Sequence, residues 1–470
     1  MICPHCGAAT PNTLPECAHC GKSLQITADS VFAMQEDEGP VSDLGPKLVR
    51  YVVGLVVLAA VLWYGTGFLK GHPLVKNDLP EPSITLPEAR LPQPKPPATL
   101  PEAELLEPLA VALPTALPIA RPAFGSRDPR FRRLFLERNG GGADTEAAVK
   151  LGLDWLKSIQ ADDGSWDYKR FGVDEKYQKE GQDHRMGIAG LGLLAFLGAG
   201  HHHEAPGPYK EAVAKAVRYL LAQQNDQGQF PGTMYHQGIC TMALAEAYGL
   251  SNDTSLELPT RKAIQAIVAA QTTTGGWDYS PRSAQNRSDS SVTGWQIMAL
   301  KSARKVGIEF PDEVYTKAID FLSAVSNDKG AIGYDVGGNR EWRTSNALSA
   351  AGLNSYLFMG LEPTDPRVQK AVGILIANLP KAPAPIGDQW NPRADIYFWY
   401  HGALALSRLG GQEWTIWNDR VKPILLGLQD KKGDLKGSWR PAGTAHADRC
   451  GRVYVTTLAI MALEVYYRYD

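Results

Sequence analysis

The sequence has no surplus of charge. Its 48 basic residues meet 50 acidic ones, for a net charge of −2, and no basic stripe marks a nucleic-acid surface. It has no disulfide framework either. Of six cysteines, four crowd into the first twenty residues and two, Cys240 and Cys450, stand alone. That split suits a metal site, and the two lone cysteines read as small apolar residues. The 33 prolines are concentrated in one stretch, so they mark a linker rather than a disordered chain. At 470 residues the chain exceeds one ordinary domain and divides into units.

Residues 1–25 read Cys3-Pro-His-Cys6-Gly and Cys17-Ala-His-Cys20-Gly. Cys3, Cys6, Cys17 and Cys20 are spaced to close a tetrahedron around zinc, and a glycine after each knuckle lets backbone amides turn toward the sulfurs. So small a unit has almost no core, and the metal would supply its folding energy. Residues 26–47 are polar, with the acidic run Glu36-Asp37-Glu38, and read as a flexible connector. Residues 48–69 are apolar on every face apart from Arg50 at one end. About twenty helical residues span a bilayer, and Tyr51, Trp63 and Tyr64 suit its interfaces. The run starts too late for a cleaved signal peptide. Lys47 and Arg50 at one end balance Lys70 and Lys76 at the other. Reduced thiols belong in the cytosol, so the expected topology is a single pass through the cytoplasmic membrane, zinc ribbon inside and the rest outside. Residues 71–144 read as a Pro-rich linker. Pro73 through Pro129 favour extended polyproline II, at about 3.1 Å per residue.

From 145 to 470 the chain repeats itself. Gln160-Ala-Asp-Asp-Gly164-Ser-Trp166 returns as Gln271 to Trp277, as Gln224 to Phe230, and stretched as Gln429 to Trp439. Each copy ends an amphipathic helix and precedes one rich in small residues. Helices are expected at Ala147–Gln160, Tyr209–Gln224, Thr260–Gln271, Tyr315–Ser326, Arg367–Asn378 and Asp419–Gln429. The second set is expected at Arg185–Gly198, Gln237–Tyr248, Ser291–Lys305, Thr344–Phe358, Ile396–Leu409 and Arg452–Tyr466. The second set carries few charges and is expected inside; the first, with Lys210, Glu211, Lys215 and Arg218, outside. Six such pairs predict an all-α ring, an (α/α)6 toroid.

Gln-x3-Gly-x-Trp after a helix resembles the repeat of the squalene cyclases, and the six-pair toroid resembles prenyltransferase β subunits. Tyr235–Tyr248, Ser290–Leu300, Tyr397–Tyr400 and Gly451–Tyr467 are similar to bacterial prenyltransferase/squalene oxidase repeat proteins. The resemblance implies the ring, and the chain departs from it at the chemistry. An isoprenoid cyclase would place its acid in an Asp-x-Asp-Asp run; here Asp289-Ser290-Ser291-Val292 stands instead. A prenyltransferase zinc site would need a cysteine two residues after Asp395, where Tyr397 stands. The Cys-Gly-Glu-Gln run of toroid thioester domains is absent.

In such a ring the inner helices run one way, and their N-termini gather at one mouth with a positive field. Near those starts lie His184-Arg185, His236, Asp289, Arg343, Asp395, Arg449 and Arg452; Trp295, Trp399, Tyr400 and Tyr454 come after them. The candidate ligand-binding residues are therefore Arg185, His236, Asp289, Trp295, Arg343, Asp395, Trp399, Tyr400, Arg452 and Tyr454, lining a cavity for a hydrophobic or anionic ligand or a peptide. No catalytic residue is assigned. Single Asp residues there also serve as N-caps, and His201-His202-His203, before Pro206, reads as a solvated turn rather than a metal site. The expected function is a membrane-anchored, non-catalytic ligand-binding or scaffold protein of the cell envelope with structural zinc and no nucleic-acid partner. The alternative is a terpenoid cyclase or prenyltransferase-like enzyme with divergent catalytic residues.

Overall fold

A computed structural model describes residues 123–172, 183–281, 286–335, 344–383, 394–441 and 445–469, all within the compact unit Ala110–Asp470. Cys3, Cys6, Cys17 and Cys20, the apolar segment 48–69 and Arg343 lie outside the described residues. Among the described residues, no helix is long and apolar enough to cross a membrane.

The described elements are helical, with isolated β-bridges as the only extended pairing among them. A short helix α1 (Pro129–Arg138) falls inside the stretch expected as linker; Pro129 takes the first helical position, where its missing N–H costs nothing, and Asp128 caps it. The outer helices are α2 (Ala143–Ser158), α4 (Lys210–Gln223), α6 (Glu257–Ala269), α8 (Glu313–Ala324), α10 (Pro366–Ala377) and α12 (Gly411–Leu428). The inner helices are α3 (Arg185–Gly198), α5 (Met234–Ser251), α7 (Ser290–Lys305), α9 (Asn346–Phe358), α11 (Ile396–Leu409) and α13 (Ala445–Leu463). A last turn, α14, covers Val465–Arg468. α13 breaks at Gly451, with φ 69° and ψ −166°, so its straight inner part begins at Arg452.

Inner helices touch in the order α3, α5, α7, α9, α11, α13 and back to α3, and the ring is closed. Burial follows the two layers. All of α3 after Arg185 is buried, whereas α4 buries only Ala212, Val213, Ala216, Val217 and Leu220. The pairing is shifted by one helix from the expected one. Each outer helix packs chiefly on the inner helix before it in sequence: α4 on α3, α6 on α5, α10 on α9, α12 on α11. α2 has no inner helix before it, and its main partner is α13 at the other end of the chain.

The repeat turn joins one pair to the next. Gln160 Nε2 donates to Gly164 O at 3.1 Å within its turn and to Ala212 O at 3.0 Å in α4. Gln224 reaches Pro259 O of α6 at 3.0 Å, Gln271 reaches Val314 O of α8 at 2.9 Å, and Gln429 reaches Ala148 O of α2 at 2.8 Å. The tryptophans are buried and hydrogen-bond back: Trp166 Nε1 to Leu156 O at 2.9 Å, Trp277 Nε1 to Ile267 O at 2.7 Å, Trp439 Nε1 to Leu425 O at 2.7 Å. Gly164 has φ 93°, and a Cβ there would lie 2.2 Å from Lys215 O, so the next outer helix approaches closer than any side chain permits. One further copy has lost its marker residues. Ser326 bridges to Ile332, and Gly330, with φ 87°, lies against α10.

The far end of the ring is plugged by charge. Arg127, just before α1, donates to Glu246 at 2.6 Å and to Arg468 O at 2.9 Å; Arg468 reaches Glu246 at 3.0 Å and Glu464 at 2.8 Å. All four side chains are fully buried. The two guanidiniums hold Glu246 below the ordinary carboxylate range against the penalty of burial. At Glu464 burial wins, and its carboxyl rises to about 8.

Candidate functional site

The mouth where the inner helices begin is built by the residues just after each repeat turn. In Trp166-Asp167-Tyr168, Trp277-Asp278-Tyr279 and Ile332-Gly333-Tyr334, a tyrosine comes two residues after the turn's large apolar side chain. The backbone there crosses the starts of the inner helices and caps them. Met234 N donates to Tyr279 O at 2.8 Å, Ser290 N to Tyr334 O at 2.9 Å, and Arg452 N to Phe171 O at 2.7 Å. Side chains cap as well: Asp289 also in α7, Ser345 in α9 and Asp395 in α11. These amides are consumed inside the fold.

Asp289 is the centre of the cluster. It is fully buried, and its Oδ1 accepts from Ser291 N at 2.8 Å, Val292 N at 3.0 Å and the Ser291 hydroxyl at 2.5 Å. Burial raises its carboxyl above the ordinary range, while Ser291 and Tyr334 pull the other way. Ser291 Oγ lies 2.5 Å from the Tyr235 hydroxyl, and the Tyr279 and Tyr334 hydroxyls lie 2.8 Å apart. Tyr235 stands edge-on to Tyr279 with ring centroids 5.5 Å apart. Arg287 holds two more carboxylates, Asp278 at 2.6 Å and Asp335 at 3.5 Å, and Asp335 pairs with Asp289 across an antiparallel bridge. Tyr235, Tyr279, Tyr334 and Arg287 are half-buried and form the rim.

Deeper in, aromatic rings fill the ring. Trp295 stacks on Tyr400 with centroids 6.2 Å apart, and His401 sits edge-on to Trp295 at 5.6 Å. His401 is fully buried, neither ring nitrogen has a hydrogen-bond partner among the described residues, and burial drives its pKa down to about 3. A small cavity of about 20 Å³ lies beside Trp399, Ile396, Val455 and Trp439, room for about one water.

The expected site residues therefore separate. Asp289, Trp295, Asp395, Tyr400 and Tyr454 belong to the mouth and the aromatic core beneath it; burial, with the Asp395 carboxylate next, raises the Tyr454 hydroxyl well above its ordinary value. Trp399 faces the small cavity between α11 and α13. His236 sits in the first turn of α5, where its Nδ1 lies 3.1 Å from Pro231 O, and its ring meets His184 edge-on at 6.1 Å. Arg185 is exposed at the start of α3. Arg452 is committed to Asp430 and to the Ser438 hydroxyl at 2.9 Å. Sequence reasoning does not single out Tyr235, Tyr279, Tyr334, Arg287, Asp278 or Asp335. The repeated Trp-Asp-Tyr, with its Ile-Gly-Tyr variant, is the signal that could find three of them.

No protein-family model and no curated protein sequence matches the chain. Solved structures do. An inactive variant of the α-1,6-mannanase GH76A of Salegentibacter sp. HEL1_6, in complex with α-1,6-mannotriose, superposes with a TM-score of 0.50 at 9% identity over 69% of this chain and 99% of that one. The fold is an α/α toroid. The type II terpene cyclase MstE from Scytonema also resembles the chain, with a TM-score of 0.45 at 13% identity over 69% of this chain and 97% of that one. An α-amylase from Clostridium perfringens gives 0.47 at 10% identity over 68% and 97%. At 9% identity the likeness to the mannanase extends to the fold alone.

Proposed function

We propose that this chain is a membrane-anchored toroid that binds a neutral, hydroxyl-rich ligand, of which an oligosaccharide is the fitting class, at the mouth where the inner helices begin. The observation that carries this reading is the rim itself. Half-buried tyrosines surround Asp278, Asp289 and Asp335, and the first amides of α7, with Met234 N of α5 and Arg452 N of α13, are already taken and not offered to an anion. Such a mouth offers the rim hydroxyls of Tyr235, Tyr279 and Tyr334 to ligand hydroxyls and their ring faces to ligand C–H groups, with the carboxylates orienting the rim from beneath. The same ring fold holds α-1,6-mannotriose in the mannanase. In this reading residues 48–69 anchor the chain in the cytoplasmic membrane with the ring outside, and Cys3, Cys6, Cys17 and Cys20 hold a structural zinc.

The test is calorimetric titration of the full chain in detergent with α-1,6-mannotriose and a panel of other oligosaccharides. Saturable binding is expected, weakened ~10-fold or more by Tyr279→Ala or Asp335→Asn. No binding across the panel, with saturable binding of anionic lipid instead, overturns the reading. A second reading, catalysis, is favoured by the raised carboxyl of Asp289, because a buried acid at a mouth is a candidate proton donor. Mass spectrometry of the incubated oligosaccharides separates the two: products that vanish in Asp289→Asn mark an enzyme, and intact ligand marks a binding protein.

A further inference from the structure

The loop after α3 departs from its reading as a solvated turn. His203 is only 8% exposed, and its Nε2 lies 3.0 Å from Asp253 Oδ2. Asp253 belongs to the loop after α5, so this contact joins two neighbouring helix pairs at the end of the ring away from the mouth. Glu204 completes the group. One donor atom from each of His203, Glu204 and Asp253 lies within 4.8 Å of the other two. A divalent ion with nitrogen and oxygen ligands at ~2.1 Å sets neighbouring donors about 3 to 4 Å apart, so this spacing needs little adjustment. The His203–Asp253 hydrogen bond does not use Glu204, whose exposed carboxylate belongs to the same group of donors.

We propose that His203, Glu204 and Asp253 form a divalent-cation site that staples the loop after α3 to the loop after α5. One imidazole with two carboxylates suits manganese or zinc, and differs in kind from the thiolate set near the N-terminus. The ion would replace the His203–Asp253 hydrogen bond by bonds from three side chains. It would act on the stability of the ring and leave the mouth untouched.

The experiment uses the full chain stripped of metal and titrated with Mn2+, which thiolates bind poorly, followed by the loss of the free-ion electron paramagnetic resonance signal. One bound Mn2+ per chain is expected, unchanged when the cysteines are alkylated. Glu204 is exposed, so Glu204→Gln tests the site without disturbing the core. It should weaken Mn2+ binding ~10-fold or more, leave the metal-free melting temperature unchanged, and abolish the rise in melting temperature that Mn2+ gives the wild type. His203→Ala should lose binding as well. An absence of Mn2+ binding by the full chain, or wild-type affinity in Glu204→Gln, overturns the proposal.

Discussion

A single glutamine illustrates how the fold is held. Gln429 is buried, and its amide spends both hydrogens, on Gly437 O at 2.9 Å and on Ala148 O at 2.8 Å. Gln429→Ala leaves two buried carbonyls short of a donor and is expected to cost about 2 kcal/mol in denaturant unfolding. Gly164→Ala forces a side chain onto Lys215 O in a left-handed backbone and should cost at least as much, about 2 to 4 kcal/mol. Two buried titratable groups bias stability in opposite directions. The folded-state pKa of His401 falls from 6.5 to about 3, so its contribution is complete above 6.5 and lost as pH falls through that window. The folded-state pKa of Glu464 rises from 4.5 to about 8, so its contribution is complete below 4.5 and lost as pH rises toward 8. Unfolding midpoints measured across pH should show both arms. Glu464→Gln should flatten the alkaline arm, and a wild-type profile flat from 4.5 to 8 would contradict the assignment.

At the level of the element, most of the architecture can be read from spacing. The glutamine, glycine and tryptophan of each turn announce a helix end, and small residues announce a buried helix. Gly192 shows why they are needed: a Cβ there would lie 2.7 Å from the Trp166 ring. Two features are hidden from such a reading. The copy at Ser326–Ile332 keeps the turn through its bridge and Gly330 after losing glutamine and tryptophan, because backbone geometry is what the turn requires. The mouth is hidden because its members come from post-turn segments that lie over other inner helices, as Tyr334 does over the start of α7. Arg452 looks available for a ligand, yet folding places Asp430 and Ser438 within its reach. A helix start with basic residues therefore gives no measure of which charges are already spent.

Across the whole molecule, the charged plug at the far end joins distant parts of the chain. Arg127 precedes all the paired helices, and Arg468 comes after them all. Arg127→Ala would remove one of the two guanidiniums that hold Glu246 and leave that fully buried carboxylate to Arg468, and a cost of about 3 kcal/mol is expected. The double variant Arg127→Ala with Gln429→Ala should lose more cooperativity than either alone, visible as non-coincident fluorescence and circular dichroism transitions. Removing residues 445–470 should expose the apolar side of α2, read as dye binding and as cleavage within α2 by protease.

The pairing of α2 with α13 also sets an order of events during synthesis. Every other outer helix emerges from the ribosome just after the inner helix that will receive it. The first outer helix is made first and docks last, after roughly three hundred residues have been added behind it. Until then its apolar stripe is exposed on a nascent chain, the condition in which chaperones bind and aggregation begins. A permutant starting at α3 and ending with α2 would place those partners next to each other in sequence and should refold faster, with less aggregate at equal concentration.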